Sequence, residues 1–103
     1  MSALLEFAIF PTDKGDSVSQ YVSQIINHIK ESGFAYKLNP MGTTVETDTM
    51  EQALQVIQES YDILDPVSKR VYCSINIDAQ KGKNNRITSK IASIEAKIGE
   101  VNK

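Results

Sequence analysis

Apolar and polar positions alternate through the first ten residues. In Ala-Leu-Leu-Glu-Phe-Ala-Ile, Leu5, Phe7 and Ile9 fall on one face and Leu4, Glu6 and Ala8 on the other. This predicts a strand over 3–9 whose second face is also partly covered. Pro11 lacks a ladder donor and ends it, and a turn-rich loop follows over 11–16. The period then changes: Val18, Tyr21, Val22, Ile25, Ile26 and Ile29 recur at helical spacing behind Ser17 and Gln20, which form a capping-box pattern. That helix is expected to reach about Ser32, with Gly33 as its C′ residue. His28 lies off the apolar stripe and reads as a surface or helix-end residue, with no nucleophile in view for it to activate.

A second strand is expected over 34–38 and a third from the turn at 39–42 to about Thr47, close enough in sequence to pair as an antiparallel hairpin. Asp48 or Thr49 then caps a second helix, with Glu51 or Gln52 as the matching partner. Met50, Ala53, Leu54, Ile57, Tyr61 and Leu64 hold its period, and Asp65-Pro66 stops it. Residues 70–78 alternate again, with Val71, Cys73, Ile75 and Ile77 on one face. Finally Ile87, Ile91, Ile94, Ile98 and Val101 step by four and three, a stripe narrow enough for a helix–helix seam. Such a helix either covers its own sheet or pairs with another copy, and the pattern leaves both open.

The order β-α-β-β-α-β with an added C-terminal helix has a compact solution in the α+β class. It is the ferredoxin-like sandwich, a four-stranded antiparallel sheet with both crossover helices on one face, spanning residues 1–103 as one domain. The other sheet face must be covered by the last helix, by another subunit, or by both, so homo-oligomerisation is expected. Composition narrows the function. With 103 residues and a net charge of -2, the chain carries no basic footprint for nucleic acid or an anionic membrane. No segment is long and apolar enough to span a bilayer and no signal peptide is visible, which makes a cytoplasmic location the expectation. A single cysteine, Cys73, and a single histidine exclude a disulfide framework and argue against a metal site. Cys73 reads as a small buried hydrophobe.

Chemistry concentrates at Asn39-Pro40-Met41-Gly42-Thr43-Thr44-Val45-Glu46. Pro40 suits the second and Gly42 the fourth position of a type I turn. The strand that leaves it alternates faces, so Met41, Thr43 and Val45 share one side and Thr44 and Glu46 the other. An amide, two hydroxyls and a carboxylate within one hairpin can read the donors and acceptors of a small polar ring. By pattern alone the structural assignment is favoured, with Asn39 serving the turn, the threonines serving β-propensity and Glu46 solvated. Ser19 is the other candidate, because it lies near the amino end of the first helix, where free N–H groups favour an acceptor.

The run Asn39-Pro40-Met41-Gly42-Thr43-Thr44-Val45-Glu46 resembles the signature of the small thiamine-binding protein family of bacteria, archaea and yeast. Ser17-Val18-Ser19-Gln20-Tyr21-Val22, Glu31-Ser32-Gly33 and Arg70-Val71 resemble its other common segments, in the same order. The chain departs from the family at Thr12-Asp13-Lys14, where a Leu-Gly pair is more usual, and the loop after the fourth strand lacks a second arginine that many members have. The resemblance implies a ferredoxin-like fold and dimers that pair their sheets into tetramers. It also implies binding of thiamine or its hydroxymethylpyrimidine half, with no catalysis and no cofactor. On that reading Glu46 accepts from the ring's amino group, Thr43 or Thr44 contributes a hydroxyl, Asn39 a bidentate amide and Ser19 a contact from the helix start, while Tyr21 or Met41 packs on the ring. Arg70 is expected in a structural ion pair, with Glu46 or across a subunit boundary, which would take Glu46 out of the ligand set. Two other functions stay in play: an enzyme of thiamine salvage, for which no nucleophile, carboxylate pair or metal cluster is evident, and an oligomeric regulatory or scaffold module acting through the open sheet face or the final helix.

Overall fold

The structure is a computed structural model that describes Met1–Lys103. Seven elements run β1 (Ser2–Pro11), α1 (Ser19–Ser32), β2 (Ala35–Asn39), β3 (Gly42–Thr47), α2 (Met50–Leu64), β4 (Val71–Gln80) and α3 (Arg86–Ile98). The strands form one antiparallel sheet in the order β2-β3-β1-β4, the ferredoxin-like arrangement with α3 added.

Register assigns the faces. Leu5 lies opposite Val45 and Ile77, and Phe7 opposite Thr43 and Ile75. These odd-numbered residues of β1 meet Ile25 and Ile29 of α1 and Ala53, Val56 and Leu64 of α2 to form the core. The two crossover helices are also tied directly, by the His28 Nε2 to Glu59 Oε1 contact at 2.6 Å. This bond leads the causes that hold the Glu59 carboxyl below its ordinary pKa. Cys73 packs against the core from β4, as expected, and burial pushes its thiol pKa up.

The even-numbered residues of β1 face the other way. Leu4, Ala8 and Phe10 are half-buried there, and Glu6, Tyr72, Ser74 and Asn76 are exposed. Cover by α3, one of the alternatives the pattern leaves open, is therefore partial. That helix meets the sheet at its first turn, and Ile94 and Ile98 are exposed.

Helix starts follow the local chemistry with one exception. Thr49 Oγ1 accepts from Gln52 N at 3.1 Å and Gln52 Oε1 accepts from Thr49 N at 3.1 Å, so α2 has the expected capping box. The box expected at Ser17 and Gln20 is not formed. The carbonyl of Val18 accepts the first helical bonds, from Tyr21 and Val22, each at 3.0 Å, which moves the start one residue past Ser17. The Ser17 hydroxyl lies instead 3.4 Å from that of Ser19. At the other end Gly33, at φ 84°, takes the left-handed C-cap that glycine favours.

Pro11 is the last residue of β1, as expected, and it still pairs with Val71, so the strand runs two residues past the expected 3–9. Hydrogen-bonded and open pairs alternate along an antiparallel ladder. The next pair, Thr12 with Arg70, is a bonded one, with Thr12 N donating to Arg70 O at 2.8 Å. Pro11 therefore occupies an open pair, where no N–H is needed towards β4.

Candidate functional site

The β2–β3 hairpin is short. A two-residue loop, Pro40-Met41, joins Asn39 to Gly42, and the pairing of β3 with β1 ends at Thr43 opposite Phe7. Beyond that point β1 continues to Pro11 with no strand on its β3 side. The gap is a cavity of about 680 Å3 between the end of β1, the first half of α1 and the hairpin tip. Val18, Val22, Ile25 and Ile26 form one wall, and Leu38, Pro40 and Met41 the opposite rim. Met41 is 89% exposed at the tip. The volume falls within the range of about 300–1,000 Å3 usual for small-molecule sites, and ten of the fourteen lining residues are hydrophobic. A second cavity, about 190 Å3 beside His28 and Glu59, lies below that range.

Of the residues singled out from the sequence, the cavity brings together Asn39, Met41 and Thr43. Thr43 is 5% exposed and shares the core-facing side of the sheet with Val45. Thr44 sits on the opposite, open face, across from Glu6 and Lys37. Ser19 is the first residue of α1 and is exposed, one position beyond the lining residue Val18. Tyr21 packs against the core instead of the cavity.

Glu46 lies elsewhere. On the open face, at the far end of β3, its Oε2 accepts from Arg86 N at 2.9 Å and its Oε1 from Ile87 N at 3.1 Å. The carboxylate thus closes the amino end of α3, whose own N-cap, Asn85, makes no side-chain cap bond. Burial works against the charge on Glu46, but the two backbone N–H groups outweigh it and leave its pKa below the ordinary carboxylate value. The expected pairing of Glu46 with Arg70 is not formed. The main chain of Arg70 joins the β1 side of the fold: its carbonyl accepts from Thr12 N at 2.8 Å and from Thr12 Oγ1 at 2.9 Å.

The arginine that matters is Arg86, which sequence reasoning overlooked by looking for it inside the loop. It is 1% exposed. Its guanidinium donates to Asp78 O at 2.8 Å and to Ser2 O at 3.3 Å and meets Asp78 Oδ2 at 2.6 Å, so it ties α3 to β1 and β4. One signal for this lay in the chain: the third helix opens with Arg86-Ile87-Thr88 and has no acidic residue in its first turn, so its N–H groups need an acceptor from elsewhere.

Comparisons with known proteins agree with this architecture. The family model described as thiamine-binding protein matches residues 5–95. A UPF0045 protein of Methanocaldococcus jannaschii is 35% identical over 89 residues, covering 86% of this chain and 88% of its own. One from Mycobacterium tuberculosis is 28% identical over 95 residues, covering 92% and 93%. Among solved structures, a hypothetical protein of Methanocaldococcus jannaschii superposes with a TM-score of 0.79 at 33% identity, covering 90% of this chain and 95% of that one. A suspected thiamine biosynthesis/salvage protein of Thermotoga maritima gives 0.78 at 21% identity, covering 91% and 99%, a likeness of fold. The match across nearly the whole chain, together with the four-stranded ferredoxin-like sheet, places this protein in the thiamine-binding protein family.

Proposed function

We propose that the protein binds thiamine or its hydroxymethylpyrimidine half in the cavity between α1 and the β2–β3 hairpin, and that it holds this ligand in the cytoplasm without converting it. The carrying observation is the cavity itself: it is of small-molecule size, mostly apolar, and sits where the Asn39–Thr43 segment brings an amide and a hydroxyl to one rim. An aminopyrimidine presents an amino donor beside ring-nitrogen acceptors, which Asn39 and Thr43 can match. Met41, Leu38 and Ile26 supply apolar surface for its ring. The lining contains no carboxylate, histidine or cysteine to act as base or nucleophile, which supports a carrier over a salvage enzyme.

Calorimetry with thiamine, its phosphates and hydroxymethylpyrimidine tests the ligand. Heat of binding with at least one is expected, and no heat with any of them would refute the reading. Substrates recovered unchanged after long incubation at high protein concentration would separate a carrier from an enzyme.

Self-association belongs to the same proposal, as a dimer of dimers formed by sheet pairing. The accessible surface of 6910 Å2 exceeds the roughly 5,800 Å2 expected for a monomer of 11.4 kDa. The radius of gyration, 14.8 Å, likewise exceeds the value of about 12.8 Å for a compact chain of this length. Apolar side chains that such pairing would cover are exposed: Tyr72, whose ring lies 5.7 Å from that of the half-buried Phe10 on the open sheet face, and Ile94 and Ile98 on α3. The alternative function, an oligomeric scaffold module, draws on these same surfaces. Pull-down from lysate distinguishes the two, since a ligand-binding homo-oligomer returns only itself.

A further inference from the structure

Buried polar groups of a strand need partners, and the end of β1 leaves the N–H and C=O of Ile9 and the C=O of Pro11 without a strand to pair with. Successive residues of a central strand direct their N–H and C=O alternately to the two neighbouring strands. The Thr12–Arg70 bond fixes which is which: Ala8, Phe10 and Thr12 serve β4, while Phe7, Ile9 and Pro11 face the β3 side. Phe7 meets Thr43 there, at the last pair of that ladder. Pro11 has no N–H. Between them Ile9 has no opposing strand residue, and none of the hydrogen bonds made outside the ladders involves it. This uncovered edge lines the cavity, with Phe7, Ala8, Ile9 and Phe10 all on its wall.

We propose that the main chain of Ile9 is the pyrimidine-reading element of the site: its N–H donates to a ring nitrogen and its C=O accepts from the adjoining exocyclic amino group. The inference rests on the function proposed above and adds the groups that choose the ring. Its chemistry is specific. One donor and one acceptor on the same side of one residue suit a planar heteroaromatic with an amino group next to a ring nitrogen. They do not suit an added peptide strand, which needs a run of several such groups. Phe7 is already paired and Pro11 offers only a carbonyl, so the edge has a single free donor, the Ile9 N–H. Val22, Ile26, Leu38 and Met41 line the same cavity with apolar surface, and a ring seated there would shield the Ile9 groups from water, so that a hydrogen bond is worth more and an unmade one costs more. A ring lacking the amino group leaves the Ile9 carbonyl unpaired in that setting and is rejected.

The experiment combines binding heat with a reading at Ile9. Wild-type protein labelled with 15N is titrated with 4-amino-5-hydroxymethyl-2-methylpyrimidine and with the same compound lacking the 4-amino group. The proposal expects the Ile9 amide to shift downfield and its hydrogen exchange to slow on binding, with little change at the already paired Phe7 amide. It expects the desamino compound to bind at least about tenfold more weakly. A protein carrying the α-hydroxy acid analogue of isoleucine at position 9, which replaces that N–H by an ester oxygen and also weakens the Ala8 carbonyl as a ladder acceptor, should lose about tenfold in affinity, with far-ultraviolet circular dichroism confirming that it is folded. Measurable heat with an unmoved Ile9 amide, or equal affinity for the two compounds, would overturn the inference and leave the function standing. No heat with the aminopyrimidine would overturn the inference, and no heat with thiamine or its phosphates as well would overturn both.

Discussion

Replacing Glu46 by alanine separates a binding role from a structural one. Its carboxylate accepts two backbone N–H groups, at 2.9 and 3.1 Å, and is 8% exposed. Net contributions of hydrogen bonds to a charged group are about 1.5–3 kcal/mol each. Loss of a helix N-cap costs about 0.5–2 kcal/mol and counts part of the same effect. Burial of the carboxylate offsets some of the gain, so Glu46→Ala should cost about 2–3 kcal/mol. For a domain of this size that lowers Tm by roughly 10–20 °C. Glu46→Gln keeps an acceptor and loses the charge, and should fall about halfway. The pH dependence has a definite sign. A carboxyl whose folded pKa is depressed contributes stability that is complete above its unfolded value and is lost as pH falls through the folded one. The variant should therefore match wild type most closely in strong acid and differ most at neutral pH. Urea unfolding from pH 2 to 7, with hydrogen exchange at Ile87 and Thr88 reporting the start of α3, measures all of this. Affinity for hydroxymethylpyrimidine should not change in protein that remains folded. A Glu46→Ala protein within about 0.5 kcal/mol of wild type, but with weakened pyrimidine binding, would refute the capping role and return Glu46 to the ligand set.

Three further outcomes follow from the same geometry. Thr43→Val should weaken pyrimidine binding about tenfold by calorimetry, whereas Thr44→Val, on the opposite sheet face, should leave it unchanged; equal effects would mean that the cavity is not the site. Phe10→Asp on the open face should shift light-scattering mass towards the monomer, and an unchanged mass would rule out assembly through that face. The side-chain bond from Ser68 Oγ and the backbone bond from Lys69 N hold the Asp13 carboxyl below its ordinary pKa. Its contribution is present above the unfolded value and lost in acid, so Asp13→Ala should lower Tm at pH 7 more than at pH 3.

The elements were legible because each carries a local signal. The period changes at Val18 and at Met50, the Thr49–Gln52 box and Asp65-Pro66 bound α2, and Gly33 closes α1. The sheet order followed from connection rules. What stayed hidden were contacts between residues far apart in sequence. Glu46 has the same alternation pattern whether it meets solvent, a ligand or a helix forty residues on, and its partners are main-chain N–H groups that every residue carries. Alternation did place Thr43 and Thr44 on opposite faces, but which face adjoined a cavity depended on where the hairpin stopped relative to β1. The free edge at Ile9 is a property of register, and no side chain announces it.

The stopping point of the hairpin is itself encoded. Pro40 holds a negative φ and Met41 keeps one, which excludes the primed two-residue turns and the type II turn from the loop that Asn39 closes opposite Gly42. Gly42 then passes so close to β1 that a Cβ there would lie 3.0 Å from the Phe7 carbonyl oxygen. A side chain at 42 must push the hairpin away from the strand whose end forms the cavity wall. Gly42→Ala tests this chain of causes. Overpacking against backbone costs about 1–3 kcal/mol, and the lower entropy of the unfolded alanine chain returns about 0.4–1 kcal/mol, so stability should fall by about 1 kcal/mol. The larger effect should be on binding, because displacement of the tip moves Thr43 and Met41 relative to Ile9. Thermal unfolding and calorimetry on the same sample read both. If Gly42→Ala binds hydroxymethylpyrimidine as tightly as wild type, the close approach of the hairpin to β1 does not set the width of the site, and the cavity is not what holds the ring.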